Sequence, residues 1–294
     1  MSKTILFFGT DEFSAPALQA LIDAGYLVAA VITRPDSKQG RGQKLTAPLV
    51  KQIAEKNAIP VWQPTKLSDI AGDIKALGPV SGVLSSYGKI VPQSIIDLFT
   101  PGIINIHPSL LPKYRGPSPV ETAILNGDSE TGVSIMKLSA AMDAGPVYTQ
   151  EKYPLHGHET APELREALSR MGSRLLIDAL PAILDGASKG ISQDENSATY
   201  CRLLTKQDAF LDPSTMSAVE ADRQVRAYLS FPRTKMTLLG QSVIVTKTHV
   251  SEVPTSLLDQ RAKDGNFLII DELIGPSGRQ MSAASFLNGY AAGA

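Results

Sequence analysis

The first half of this chain alternates short apolar runs with helical patterns, and few folds accept such an alternation. Thr4–Gly9, Tyr26–Thr33, Ile59–Trp62, Pro79–Ser86, Ile103–His107 and Gly132–Leu138 read as strands. Between them, Pro16–Ala24, Leu49–Lys56, Pro92–Leu98 and Val120–Leu125 read as helices. This order predicts a Rossmann-like α/β domain: a mainly parallel sheet with helices on both faces. Ligands of such sheets bind at the carboxyl ends of the strands, where Asn105 and His107 fall. A longer helix is predicted from Ala161 to Leu184. Thr160 and Glu163 are placed as its capping box, Leu164, Leu168, Met171 and Leu175 form its apolar stripe, and Gly186 stops it.

After that helix the texture changes. Residues 186–199 are polar and aperiodic, and the expected division is a domain over 1–189, a linker over 190–206 and a second domain over 207–294. In the second domain, helical Val219–Leu229 precedes strands at Lys235–Leu239, Ser242–Thr248 and Phe267–Glu272, with Gly240 and Gln241 at a turn and an amphipathic tail at Ser282–Tyr290. A small OB-like β-barrel is the expectation there. Two domains suit 294 residues, of which 43% are hydrophobic. A net charge of −1 provides no global attraction to nucleic acid or anionic membrane, so any such contact must come from local patches. The single cysteine, Cys201, permits no internal disulfide, which fits a reducing, cytoplasmic compartment. No apolar run is long enough to span a bilayer, and Met1-Ser2-Lys3 before the first strand is too short for a signal peptide. A cytoplasmic monomer without membrane contact is expected.

The densest chemical cluster is Asn105-Ile-His107-Pro-Ser109-Leu-Leu-Pro112-Lys-Tyr114-Arg115-Gly116. On a strand, Asn105 and His107 share one face. Pro108 and Pro112 stiffen the loop that follows. Downstream, Met142-Asp143-Ala-Gly145 places a carboxylate on a turn after another strand. An amide and an imidazole can donate to a tetrahedral oxyanion, and a carboxylate can orient the imidazole and favour its protonated form. Each residue alone has an ordinary structural role, because Asp in such turns commonly serves turn geometry. No serine or cysteine nucleophile is indicated, since Ser109 lies in no G-x-S-x-G elbow. Direct attack by a substrate amine on a carried acyl group is therefore the expected chemistry. Gly9-Thr10-x-x-x-Ser14 lacks the glycines of a dinucleotide site, and His156-Gly-His158 lacks the partners of a metal site.

Asn105-x-His107-Pro-Ser109-Leu-Leu-Pro112 followed by Asp143 resembles the folate-dependent formyltransferases. The resemblance implies 10-formyltetrahydrofolate as formyl donor and co-substrate, with Asn105, His107 and Asp143 as the catalytic set. It also implies that Ser109, Leu110, Leu111 and Pro112 help form the folate site. Tyr87 and Gly88, just past a strand, are expected to line the pterin pocket. No metal is expected.

The resemblance extends over nearly the whole chain, and its details are similar to the branch of that family acting on initiator Met-tRNA. The Phe8–Phe13 opening, Tyr114-Arg115-Gly116, Ile124–Asp128, Gly132–Ile135, Ala198-Thr199-Tyr200 and Gln280–Ala283 with Phe286-Leu287 carry it. The stretch Arg34–Leu45 is similar to an inserted basic loop that grips the acceptor end of the tRNA. Arg34, Lys38, Arg41 and Lys44 are the expected contacts; with Lys51 they face only Asp36, and Gly40 and Gly42 make the loop pliable. In the second domain five Lys/Arg lie between Arg223 and His249 with no acidic residue, an expected backbone-binding face (Arg223, Arg226, Arg233, Lys235, Lys247). Two departures stand out. Ser230-Phe231-Pro232-Arg233 replaces the family's Asn-x-Trp-Pro-like element, and Val250–Asn266 is shorter and more polar than usual, so a barrel hairpin is expected to be altered. The rival readings are a formyltransferase for an amino sugar nucleotide or purine precursor, and a silent tRNA-binding homologue. The basic loop argues against the first and the intact Asn105, His107 and Asp143 set against the second.

Overall fold

The computed structural model describes residues 4–39, 42 and 44–290. Its elements run β1 (Thr4–Gly9), α1 (Ala15–Asp23), β2 (Leu27–Ile32), β3 (Ser37–Gln39), β4 (Lys44–Thr46), α2 (Leu49–Lys56), β5 (Val61–Trp62), α3 (Ala71–Ala76), β6 (Ser81–Ser85), α4 (Gln93–Ile96), β7 (Ile103–His107), α5 (Pro119–Asn126), β8 (Glu130–Lys137), β9 (Val147–Pro154) and α6 (Ala161–Leu184). They continue with α7 (Ala218–Ala227), β10 (Lys235–Leu238), β11 (Gln241–Ser251), β12 (Gln260–Arg261), β13 (Phe267–Ile274), β14 (Gln280–Ser282) and α8 (Ala283–Tyr290). Contacts divide the chain into two compact units. The first holds 1–116, 131–153 and 165–200; the second holds 117–130, 154–164 and 201–294.

The first unit is built on a seven-stranded sheet in the order β5-β2-β1-β6-β7-β8-β9. The pairs from β5 to β7 are parallel and β8 runs antiparallel to β7. Ile5, Leu6, Phe7 and Phe8 have no exposed surface, as a central strand covered on both faces requires. One of the layers around the sheet packs Phe8, Ile32, Ile74, Tyr87, Ile95, Phe99 and Ile103 into a single cluster. Phe8 meets Tyr87 and Phe99 edge-on, at 5.6 and 5.7 Å between ring centroids. From β1 the chain goes to β2 on one side and later to β6 on the other, so the order reverses at β1. The carboxyl ends of β1 and β6 therefore flank a topological switch point. Gly9 ends β1 because α1 starts against it: a Cβ there would lie 2.7 Å from Ser14 Cβ.

The predicted strands and helices of this half are present, with ends shifted by a residue or two. Three features differ from the sequence reading. The basic loop contains a short antiparallel pair, β3 with β4. A helix, α3, occupies part of the segment between β5 and β6. Strand β9 pairs at the sheet edge; its centre, Thr-Gln-Glu-Lys, is polar throughout, and from Thr149 on its residues alternate between half-buried and exposed.

In the second unit, α7 and α8 accompany a five-stranded antiparallel sheet ordered β10-β11-β13-β12, with β14 also paired to β13. The expected barrel is not closed, as no pairing among the described residues joins β10 to β12. The physical reason is length: β12 and β14 have two and three residues, too few ladder bonds to complete a ring. In the stretch 252–266, β12 is the one strand formed between β11 and β13 among the described residues. The core of this unit gathers Leu211, Ala221, Val225, Met236, Val245, Leu268, Ile270, Leu273 and Phe286.

Phe8→Ala removes a fully buried ring that touches two other aromatics. It is expected to lower stability to urea by about 3–5 kcal/mol, measured from the displacement of the unfolding curve.

Candidate active site

The predicted catalytic residues lie together in the first unit. Asn105 and His107 project from one face of β7, each 5% exposed, and Leu84 of β6 is the register partner of Asn105. His107 Nε2 lies 2.9 Å from the Tyr114 carbonyl oxygen. A carbonyl only accepts, so this nitrogen carries a proton, and Nδ1 is left as the nitrogen that can take or give one. Nδ1 faces Asp143 Oδ2 at 3.7 Å. That distance permits charge attraction and exceeds a hydrogen bond. The ring is thus oriented by the Tyr114 carbonyl, while Asp143 acts on it through charge.

Asp143 sits in a left-handed backbone conformation, φ +47°, which asparagine and aspartate tolerate better than other non-glycine residues. Its Oδ2 accepts a 2.8 Å hydrogen bond from Gly116 N. Its carbonyl and that of Gly145 both accept from Gln193 Nε2, each at 2.7 Å. Gly145 is required by space as well: a Cβ there would stand 1.8 Å from the Lys137 carbonyl oxygen. Gln193 Oε1 in turn accepts from Arg115 Nε at 3.0 Å. Arg115 is 1% exposed, and its two terminal nitrogens fork onto the Glu195 carboxylate at 2.8 Å each. This fork pushes the guanidinium above its ordinary value and holds Glu195 below the usual carboxylate range.

The predicted folate loop is tethered from β8 and β9. Ser109 Oγ donates to the Lys113 carbonyl and the Ser109 carbonyl accepts from Ser134 Oγ, both at 2.6 Å. Leu111 N donates to the same Ser134 Oγ, and Gln150 Nε2 donates to the Leu111 carbonyl. Leu111 is buried, Pro112 is half-buried, and the half-buried Leu110 lies against Gly132. Tyr87 differs from the expectation of a lining ring. It is 1% exposed and packed in the core, and burial raises its phenol above the ordinary range. What it offers at the switch point is backbone: its carbonyl accepts from Thr10 Oγ1 at 2.8 Å, and Gly88 follows with φ +74°.

The basic loop splits into parts. Arg34 lies beside Gly88, where an added Cβ would be 3.5 Å from its Nη1, so it belongs with the switch point. Lys51 is bound to Asp36 and Gln63 at 2.9 and 3.1 Å. Lys38 is exposed, Arg41 lies outside the described residues, and only the backbone of Lys44 is described. In the second unit, Arg226 turns inward to Asp222 and the Glu159 carbonyl, which removes it from the expected basic face; Arg233, Lys235 and Lys247 are exposed. A cavity of about 260 Å³ in that unit is lined in part by Ile124, Asp128, Leu155, Asp222 and Arg223, and Asp222 there is held by Arg226 and Thr248. His156 and His158 stack on each other, and Glu159 accepts from the backbone N–H of both. Among the described residues no group of three or more His, Cys, Asp or Glu could hold a metal, and no helix is long and apolar enough to cross a membrane.

Sequence reasoning missed Gln193 and Glu195, which fall in the stretch read as linker. The available signal was weak: Arg115 closes the stiff loop after β7, and only its burial in the structure makes a partner obligatory.

Comparison with known proteins agrees with this geometry. The formyl transferase family model matches residues 2–180. A methionyl-tRNA formyltransferase of Halorhodospira halophila is 36% identical over 302 residues, covering 98% of this chain and 97% of the relative. One of Coxiella burnetii is 37% identical over 303 residues, covering 99% and 96%. Among solved structures, HypX from Aquifex aeolicus in complex with tetrahydrofolic acid shares the fold, with a TM-score of 0.69 at 17% identity over 98% of this chain and 47% of HypX. With a family model matching residues 2–180 and methionyl-tRNA formyltransferases 36 and 37% identical over nearly the whole chain, the chain belongs to the formyl transferase family, in its methionyl-tRNA formyltransferase branch.

Proposed function

We propose that this protein transfers the formyl group of 10-formyltetrahydrofolate to the α-amine of methionine carried by initiator tRNA, a cytoplasmic step of translation initiation. The observation that carries the reading is His107, held in one tautomer by the Tyr114 carbonyl, facing Asp143 and sharing a strand face with Asn105. In this reading the amine attacks the formyl carbon directly. Asn105 Nδ2 and protonated His107 donate to the developing oxyanion, and the burial of both side chains strengthens the two bonds. His107 Nδ1 exchanges the proton, and Asp143 stabilises the charged ring and assists deprotonation of the incoming amine. The Ser109–Pro112 loop and the backbone at Tyr87 and Gly88 form the folate site. Lys38, Arg41 and Lys44, with Arg34 at the edge nearest Gly88, meet tRNA phosphates, and the exposed Arg233, Lys235 and Lys247 of the second unit add backbone contacts. The protein is taken to act as a monomer. Full-length similarity to methionyl-tRNA formyltransferases favours this acceptor over an amino sugar nucleotide or a purine precursor.

The test is formyl transfer from 10-formyltetrahydrofolate to methionyl initiator tRNA by the purified protein. Asn105→Ala and His107→Ala are each expected to lower kcat by about 10²–10⁴-fold with little change in tRNA affinity; turnover that survives both would rule the mechanism out. Arg41→Ala is expected to weaken tRNA affinity and to reduce the slope of log affinity against log salt by about 0.7–0.9. An unchanged slope would remove Arg41 from the phosphate contacts. Transfer to a small amine but not to the tRNA would keep the site and change the acceptor.

A further inference from the structure

We infer that Gln193 is a positioning residue for Asp143, and that residues 193–200 form a clasp joining the two loops on which the site depends; this rests on the formyl-transfer reading above. Asp143 and the Tyr114 carbonyl approach His107 from different parts of the chain, on opposite ring nitrogens. Neither loop has ladder hydrogen bonds at these residues, and both place a non-glycine residue at positive φ: Tyr114 at +58° and Asp143 at +47°. Such conformations persist only when the surroundings over-determine them. A large share of these surroundings comes from one short segment.

Gln193 Nε2 spends both of its protons on the Asp143 turn, donating to the carbonyls of Asp143 and Gly145 at 2.7 Å. Its Oε1 is fixed by Arg115 Nε at 3.0 Å, so the amide has only one useful orientation. Arg115 belongs to the other loop. Its terminal nitrogens are held by the Glu195 carboxylate and the Tyr200 hydroxyl, and its backbone N donates to the Thr199 carbonyl at 2.9 Å. The same segment reaches Tyr114, whose N donates to Thr199 Oγ1 at 2.9 Å, and Pro112, whose carbonyl accepts from Thr199 N at 3.1 Å. The two loops also touch directly, through Gly116 N and Asp143 Oδ2. One arginine that stays charged at every working pH and one amide thus set the position of both groups flanking His107. Gln193 touches no reacting atom in this scheme. Its effect on the reaction passes through Asp143.

The test uses the full-length protein carrying Gln193→Met, which keeps side-chain length and volume but neither donates nor accepts, and Gln193→Glu, which keeps the acceptor for Arg115 but cannot donate to the carbonyls. Both are expected to lower kcat for formyl transfer by about 10–100-fold, the scale of a misplacement near 1 Å, with KM for the folate donor and for methionyl-tRNA within about twofold of the parent. A second reading does not depend on the reaction. Hydrogen exchange at the Gly116 amide, whose acceptor is Asp143 Oδ2, is expected to speed up by about tenfold or more in both variants, while core amides of β1 keep their protection. Unchanged kcat with unchanged Gly116 protection overturns the clasp. So does a loss confined to KM, full activity in Gln193→Glu, or a loss of protection spread over the whole unit, since each assigns Gln193 another role. Failure of the parent protein to formylate methionyl-tRNA would overturn the functional reading alone, and the exchange experiment would still decide the clasp.

Discussion

A sheet covered on both faces favours apolar side chains on its central strands, and that constraint arranges much of the first unit. Ile5 to Phe8 are fully buried, and Ser81 and Ser134, polar residues buried along β6 and β8, use their hydroxyls in hydrogen bonds. Reversal of strand order at β1 brings the carboxyl ends of β1 and β6 side by side, where Thr10 Oγ1 donates to the Tyr87 carbonyl. β7 is next in the sheet beyond β6, and Asn105 and His107 share one of its faces. Their amide and imidazole are both buried.

Past the strand ends, ladder bonds no longer hold the backbone, and side chains take over. Ser134 and Gln150, reaching from β8 and β9, fix the Ser109–Leu111 loop. Arg115 is the centre of the second set. A guanidinium with 1% exposure is costly unless its donors are used, and the Glu195 fork, the Gln193 amide and the Tyr200 hydroxyl use them. Satisfying this buried cation and placing Asp143 are the same physical event, because Gln193 serves both. The second unit follows another economy of parts. Its antiparallel sheet covers one hydrophobic cluster with helices and stays open, as strands of two and three residues cannot close it.

Legibility in the sequence tracked how local the cause was. The runs that became β1 and β2 are visible because burial on both faces makes them almost continuously apolar, and those of β6 and β7 because Val83-Leu84 and three isoleucines remain between their polar residues. The helix Ala161–Leu184 is visible from its stripe and stop signal, although Thr160 and Glu163 make only part of a capping box, the Glu163 carboxylate accepting from the Thr160 backbone and hydroxyl. β9 escaped because its centre, Thr149 to Lys152, is a continuous polar run with no apolar alternation. The β3–β4 pair escaped because its strands are three residues long and polar except for Leu45. Arg226 looked like a surface cation, and only the fold showed Asp222 and Glu159 beside it.

The sequence by itself determined the doubly covered sheet, the position of Asn105 and His107 on one strand face, and the identity of Asp143 as their partner, since alternation along a strand and a family motif are both written in linear order. Tertiary structure alone decided which nitrogen of His107 is proton-bearing, that Tyr87 is core and offers backbone, that Arg34 lies by Gly88, and that a polar stretch resembling a linker grips the site. Those outcomes depend on hydrogen bonds between residues dozens of positions apart, such as Gln193 with Asp143. Such bonds leave no periodicity in the sequence and come into being only when the chain has closed around its buried charge.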